Sequence, residues 1–162
     1  MIFEKADIND SESLVKLRID YLTEDYGSIP ENQLSRIAGN LPDYFSRHLN
    51  RDLFAFVCRN NDDVIVSCCF LYVSEKPSNP AFITGKTGTV LNVYTRPEYR
   101  KKGLAGKLLS LMLSASKEMG LDFVELKSTE SGYNLYSSLG FEEVVSKYRN
   151  MKYVFDSHEE IN

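Results

Sequence analysis

Val93-Tyr94-Thr95-Arg96-Pro97-Glu98-Tyr99-Arg100-Lys101-Lys102-Gly103-Leu104-Ala105-Gly106-Lys107 is the stretch on which the fold turns. An apolar strand stops at a proline, the chain crosses a basic, glycine-bearing turn, and a long helix follows. That helix is legible from Leu104, Leu108, Leu111, Met112, Ala115 and Met119, which recur on one face, and from Gly120, a suitable terminator. The first turn of such a helix carries unpaired backbone N–H groups and about half a unit of positive charge. It can hold phosphate without a dedicated side chain. Gly103 lets an anion approach the backbone, Ala105 and Gly106 are too small to obstruct it, and Arg100, Lys101, Lys102 and Lys107 add positive charge. A helix start decorated with solvated basic residues would look the same, so local physics leaves both readings open.

Toward the N-terminus, a strand covers about Thr89 to Tyr94, and Ser74 to Gly88, with Pro77, Pro80, Gly85 and Gly88, reads as a loop. Phe54–Cys58 and Val64–Val73, joined by the polar Arg59–Asp63, predict an antiparallel hairpin. The chain starts with a strand, Ile2 to Ala6. A helix follows, capped at Asn9, Asp10 or Ser11 and carrying Leu14, Leu17, Tyr21 and Leu22 at helical spacing. A second helix is expected between Glu31 and Asn50, interrupted at Pro42. Toward the C-terminus come a short strand, Phe123 to Leu126, and a small helix ending at Leu139-Gly140. A final strand, Tyr148 to Phe155, and a charged tail from Asp156 close the chain. The order β-α-α-β-β-β-α-β-α-β predicts an α/β or α+β sheet covered by helices.

The 162 residues, 43% hydrophobic and 26% charged, suit one globular domain across 1–162. A net charge of −4, from 19 basic and 23 acidic residues, gives no global support for nucleic-acid binding. No apolar run approaches the roughly 20 residues of a membrane helix, and the N-terminus lacks the pattern of a signal peptide. Cys58, Cys68 and Cys69 lie in apolar surroundings, which suits a reducing compartment and predicts a cytoplasmic protein. Cys68 and Cys69 should point to opposite faces of their strand as buried thiols. His48 and His158 have no metal-ligand spacing, so no metal is expected.

Two phosphate motifs fail by inspection. Gly85-Lys86-Thr87 has Pro80 where a P-loop needs its first glycine, and Gly106-Lys107 is followed by Leu108. A dinucleotide fingerprint beginning at Gly103 lacks two of its three glycines. Arg100-Lys101-Lys102-Gly103-Leu104-Ala105, by contrast, resembles the Arg/Gln-x-x-Gly-x-Gly/Ala pattern of the GNAT superfamily of acetyl-CoA-dependent N-acetyltransferases. Leu135-Tyr136-Ser137-Ser138-Leu139-Gly140-Phe141 is similar to the second signature of that family, Leu-Tyr-x-x-x-Gly-Phe. The two blocks stand in order, one helix and one strand apart. The likeness is close over about residues 85–155 and extends to the N-terminal half only in element order.

The resemblance implies a central mixed, mostly antiparallel sheet flanked by helices, with splayed central strands holding the acyl-CoA. It implies that the pyrophosphate of acetyl-CoA rests on the turn Arg100, Lys101, Lys102, Gly103, Leu104 and Ala105, with Gly106 and Lys107 adjoining. The pantetheine arm would pair with the backbone of Asn92, Val93 and Tyr94 as an added strand. Tyr136 would sit by the thioester sulfur as general acid. A phenol of pKa near 10 can protonate a departing thiolate, and the Val93 N–H could polarise the carbonyl. Without the resemblance Tyr136 would read as a core aromatic. Where the family's second block often has Asn and Ala, this chain has Thr129 and Gly132, so Thr129 would reach the cofactor only through its hydroxyl.

The general base is less plain. Thr87-Gly88-Thr89-Val90-Leu91-Asn92 holds no carboxylate, leaving Glu125 and Glu130 as candidates beside a water relay. Glu24, Asp25, Glu31 and Asp43 would favour a cationic acceptor if they face the cleft. Tyr21, Tyr26, Tyr44 and Phe45 either line an acceptor pocket or pack the helices. The expected function is acetyl transfer from acetyl-CoA to a primary amine of a small molecule or peptide, without nucleic acid or membrane, and with a homodimer allowed. The alternatives are a non-catalytic acyl-CoA sensor and a nucleic-acid-binding module built on Arg100-Lys101-Lys102.

Overall fold

The computed structural model describes residues 1–155. One sheet runs in the order β1 (Ile2–Lys5), β2 (Leu53–Arg59), β3 (Ile65–Glu75), β4 (Lys86–Thr95) and β5 (Phe123–Glu125). The first three junctions are antiparallel and the last, β4 to β5, is parallel. Helices α1 (Ser11–Tyr26) and α2 (Glu31–His48) connect β1 to β2. Helix α3 (Leu104–Glu118) makes the crossover that a parallel pair requires, and α4 (Tyr133–Ser138) follows β5. This is the mixed, mostly antiparallel sheet flanked by helices that the family resemblance implies.

Strand alternation builds two cores. On one side Leu14 and Leu17 of α1 and Phe45 of α2 bury Leu53, Ala55, Val57, Cys68 and Phe70. On the other, Leu104, Leu108, Leu109 and Met112 of α3 bury Phe56, Cys58, Cys69, Leu71 and Val90. Cys68 and Cys69 therefore face opposite ways, both buried and both free thiols, as expected. Within α3 the buried stripe includes Leu109, whereas Leu111, expected in it, is 36% exposed.

Four expectations are corrected. Asp7, not Asn9, Asp10 or Ser11, is the side chain that caps, accepting from the Asn9 N–H at 2.8 Å over a 3-10 turn that leads into α1. Pro42 does not interrupt α2, which is continuous around it. The proline lies on the exposed face, where a carbonyl that loses its N–H partner is hydrated, while Phe45 anchors the inner face. The loop before β4 is shorter than predicted, because β4 already pairs at Lys86 with Glu75. Finally, Tyr148 to Phe155 form no strand. Strand-prone residues become a strand only against a partner edge. This segment stays off the sheet and leaves Met151, Tyr153 and Phe155 exposed. The charged tail from Asp156 lies outside the described residues. Among those described, no helix is long and apolar enough to cross a membrane.

Candidate active site

The sheet opens at its one parallel junction. Among the described residues β5 pairs only through Phe123–Glu125 with Thr87–Thr89, while β4 continues to Thr95 with no strand on that side. A bulge sits on the unpaired stretch. Cys68 lies opposite Tyr94 and Phe70 opposite Leu91, so Asn92 and Val93 together face the single residue Cys69. Asn92 takes φ +53°, a left-handed conformation that asparagine tolerates. Its side chain, 3% exposed, turns away from the opening. Oδ1 accepts from Arg18 Nη1 at 3.1 Å and Nδ2 donates to Cys68 Sγ at 3.4 Å.

Beyond β4, Pro97–Tyr99 form a 3-10 turn, and the backbone is left-handed at Lys101 (φ +59°) and again at Gly103 (φ +74°). Helix α3 starts at Gly103 with no side-chain cap. The Lys107 N–H reaches the Gly103 carbonyl at 3.2 Å, whereas the amides of Leu104, Ala105 and Gly106 have no backbone acceptor among the described residues. A Cβ built on Gly103 would meet nothing within 4 Å among the described residues. Unpaired donors, a helix dipole and open space thus coincide, which fits a phosphate-bearing ligand.

A cavity of about 370 Å³ joins this turn to β4 and α4. It brings together Val93, Arg100, Lys101, Gly103, Leu104, Ala105, Gly106, Thr129 and Tyr136 from the residues predicted to hold the cofactor. Asn92 and Tyr94 do not line it with their side chains, both being buried. Lys102 donates to the Glu98 carbonyl at 3.1 Å, and Lys107 lies 5.5 Å from the Phe3 ring, so neither ammonium serves the cavity. Arg100 is also occupied, bridging Glu24 of α1 at 2.5 Å and the Thr95 carbonyl at 2.9 Å. Glu125 is exposed on β5, opposite Thr89, and the cavity does not include it. Glu130 is exposed as well.

Tyr136 is half-buried, with its ring edge-on to Phe141 at 5.9 Å. Gly132, one turn earlier, is needed for that seat, because a Cβ there would fall 2.9 Å from Tyr136 Cε2. The Thr129 hydroxyl accepts from the Gly132 N–H at 3.3 Å and contacts Ser131 at 3.1 Å, fixing the entry to α4. Burial, then the neighbouring Tyr21 and Cys69, push the Tyr136 phenol above its ordinary pKa, so it is protonated at neutral pH.

Of the acidic residues that would attract a cation, Glu24 is held by Arg100 and Asp43 by Arg47 at 2.9 Å. Among the aromatics, Phe45 packs on Phe70, Tyr21 and Tyr44 border the first core, and Tyr26 is 71% exposed. Thr95, Tyr99 and Ser131 also line the cavity and were not singled out beforehand. Their only signal was adjacency to the two motifs. Arg18 was missed too, although a charged residue beside Leu14, Leu17 and Tyr21 on the apolar stripe of α1 was a readable anomaly.

Residues 13–141 match the model of the family described as Acetyltransferase (GNAT). No curated protein matches the chain in sequence at a significant level. Among solved structures, the fold is similar to that of a predicted acetyltransferase with acetyl-CoA from Clostridium acetobutylicum, with TM-score 0.79 and 24% identity over 93% of this chain and 95% of that one. A ribosomal-protein-alanine N-acetyltransferase from Brucella melitensis biovar Abortus 2308 gives TM-score 0.66 and 18% identity, covering 94% and 100%. Glucosamine-6-phosphate N-acetyltransferase from Arabidopsis thaliana gives 0.63 and 20%, covering 96% and 100%.

Proposed function

The chain belongs to the acetyltransferase (GNAT) family, and from that premise we propose that it moves the acetyl group of acetyl-CoA to a primary amine, as one cytoplasmic domain spanning 1–162. The observation that carries this reading is the single cavity shared by the uncapped start of α3, the unpaired stretch of β4 and the Tyr136 phenol. Acetyl-CoA supplies an activated acetyl thioester. The amides of Leu104, Ala105 and Gly106, with Lys101, would hold its diphosphate, and the open side of β4 at Val93 would take its extended arm by backbone pairing.

The amine attacks the thioester carbonyl carbon, a C–N bond forms and the C–S bond breaks. An amide N–H on β4, that of Val93, would stabilise charge on the carbonyl oxygen. Tyr136 would give its proton to the leaving thiolate and recover one, by way of solvent, from the amine nitrogen. No carboxylate lines the cavity among the described residues, so the amine proton leaves through water, and Glu125 is not the base in this reading. Relatives of the same fold are named for acceptors as different as a ribosomal-protein alanine and glucosamine 6-phosphate, so the fold alone does not choose the acceptor.

The test is calorimetric titration with acetyl-CoA, followed by thiol release in the presence of an amine panel. Saturable binding with amine-dependent CoA release is expected. Binding without release for any amine would favour a non-catalytic acyl-CoA sensor. Absence of binding would refute the proposal.

A further inference from the structure

Arg18 is a half-buried cation with an unusual set of neighbours. A guanidinium offers five donors, and among the described residues the hydrogen bond to Asn92 Oδ1 accounts for one of them. It forms no ion pair with any described carboxylate, whereas Arg59, comparably buried, is held by both Glu4 and Asp10. Desolvating a charge without a counter-charge is costly, and a ligand of opposite charge relieves that cost. Asp20, the acidic residue nearest along α1, is exposed.

The position is as informative as the missing partner. Arg18 grips Asn92, the bulge residue, whose chain neighbour Val93 lines the cavity. Its guanidinium lies 5.5 Å from the Tyr21 ring centre. Tyr21 in turn adds, after burial, to the upward shift of the Tyr136 phenol. Tyr44 feels the positive charge of Arg18 as well, and with Tyr72 it borders the same side of the core. The wall is therefore phenolic, with Arg18 as its half-buried cation; exposed Asp25 acts on Tyr21, and Asp52, already bonded to His48, acts on Tyr44. Of the four carboxylates expected to draw a cation, Glu24 and Asp43 are engaged in ion pairs, while Asp25 and Glu31 are exposed.

We propose that Arg18 binds a carboxylate of the acceptor, so that the acetylated molecule is a small amine bearing a carboxylate, such as a free amino acid. This rests on the transferase reading above and adds the acceptor class to it. A charge-assisted, forked contact of this kind gives discrimination of about tenfold or more against a neutral isostere.

The experiment compares acceptors in pairs: the common L-amino acids, β-alanine and 4-aminobutyrate, each against its own carboxamide, with acetyl-CoA binding followed separately by calorimetry. Wild type should prefer the best acid over its amide by at least about tenfold in kcat/KM. Arg18→Gln should bring the pair to near equality by raising KM for the acid alone, with acetyl-CoA affinity unchanged. Arg18→Lys, which keeps the charge but not the fork, should retain part of the preference. Equal use of acids and amides, use of neither, or an equal loss on both in Arg18→Gln would overturn the proposal. Acetyl-CoA binding with transfer only to neutral amines would sink this inference and leave the transferase reading standing. Loss of acetyl-CoA binding in wild type would remove both.

Discussion

Gly103 separates backbone strain from ligand electrostatics. It sits at φ +74°, and among the described residues nothing lies within 4 Å of the place a Cβ would occupy. Alanine there clashes with nothing but pays for the left-handed conformation, about 1–2 kcal/mol. Aspartate tolerates that conformation better and can cap the free amides of Leu104, Ala105 and Gly106, but the negative charge it adds lies where the phosphate would rest. Two unit charges about 5 Å apart repel by roughly 0.8 kcal/mol in bulk water and about 3 kcal/mol at an effective dielectric of 20. Gly103→Ala should therefore melt lower than wild type by roughly 2–4 °C for each kcal/mol lost, and Gly103→Asp no lower than Gly103→Ala. Acetyl-CoA affinity, measured by calorimetry, should fall only a few-fold in Gly103→Ala and by about tenfold or more in Gly103→Asp. Equal affinity losses in the two variants would show that this helix start does not carry the phosphate.

Tyr136→Phe should cut kcat by about a hundredfold or more, with little change in acetyl-CoA affinity. Because burial raises the phenol, its protonated form persists past the usual value, so the alkaline fall of kcat should lie above about pH 10 and vanish in the phenylalanine variant. An alkaline limb shared by both proteins would rule Tyr136 out as the acid. Gly88→Ala should destabilise by about 1–3 kcal/mol in urea titrations, since its Cβ would fall 2.7 Å from Leu71 Cδ1 and 3.1 Å from Leu121 Cδ1. Native protein should resist thiol reagents at neutral pH, because Cys68 is pushed up to about 12 and Cys69 well above its ordinary value, both by burial. All three cysteines should react quickly once urea unfolds the chain.

What could be read from the sequence was what depends on neighbours in the chain. The turn after β4 combines a proline, a run of basic residues and a glycine that must be left-handed, and all three are local facts. The alternation of Cys68 and Cys69 follows from strand geometry alone. Errors arose where the deciding partner is distant. Pro42 stays helical because Phe45 is gripped by Phe70 across the core, 5.9 Å away. Tyr148 to Phe155 have the composition of a strand, yet they pair neither with the open outer edge of β5 nor with any other described strand, and nothing within the segment foretells that. Glu125 does not line the cavity although its strand is next to β4, because the two strands part just where the cavity begins. Arg18 was overlooked because its significance lies in an asparagine 74 residues away.

That same asparagine sets which face of the sheet each later residue of β4 occupies. Val90, before the bulge, packs with α3, and by simple alternation Tyr94 would follow it. Because Asn92 and Val93 share one partner, the parity reverses: Val93 keeps company with α3 while Tyr94 is buried with α1 and α2. A one-residue deletion at this point would leave every neighbouring side chain chemically intact and still exchange the inside of β4 for its outside. Loss of Asn92 is thus a frameshift in space rather than in code, and it would empty the mouth of the cavity without touching either motif.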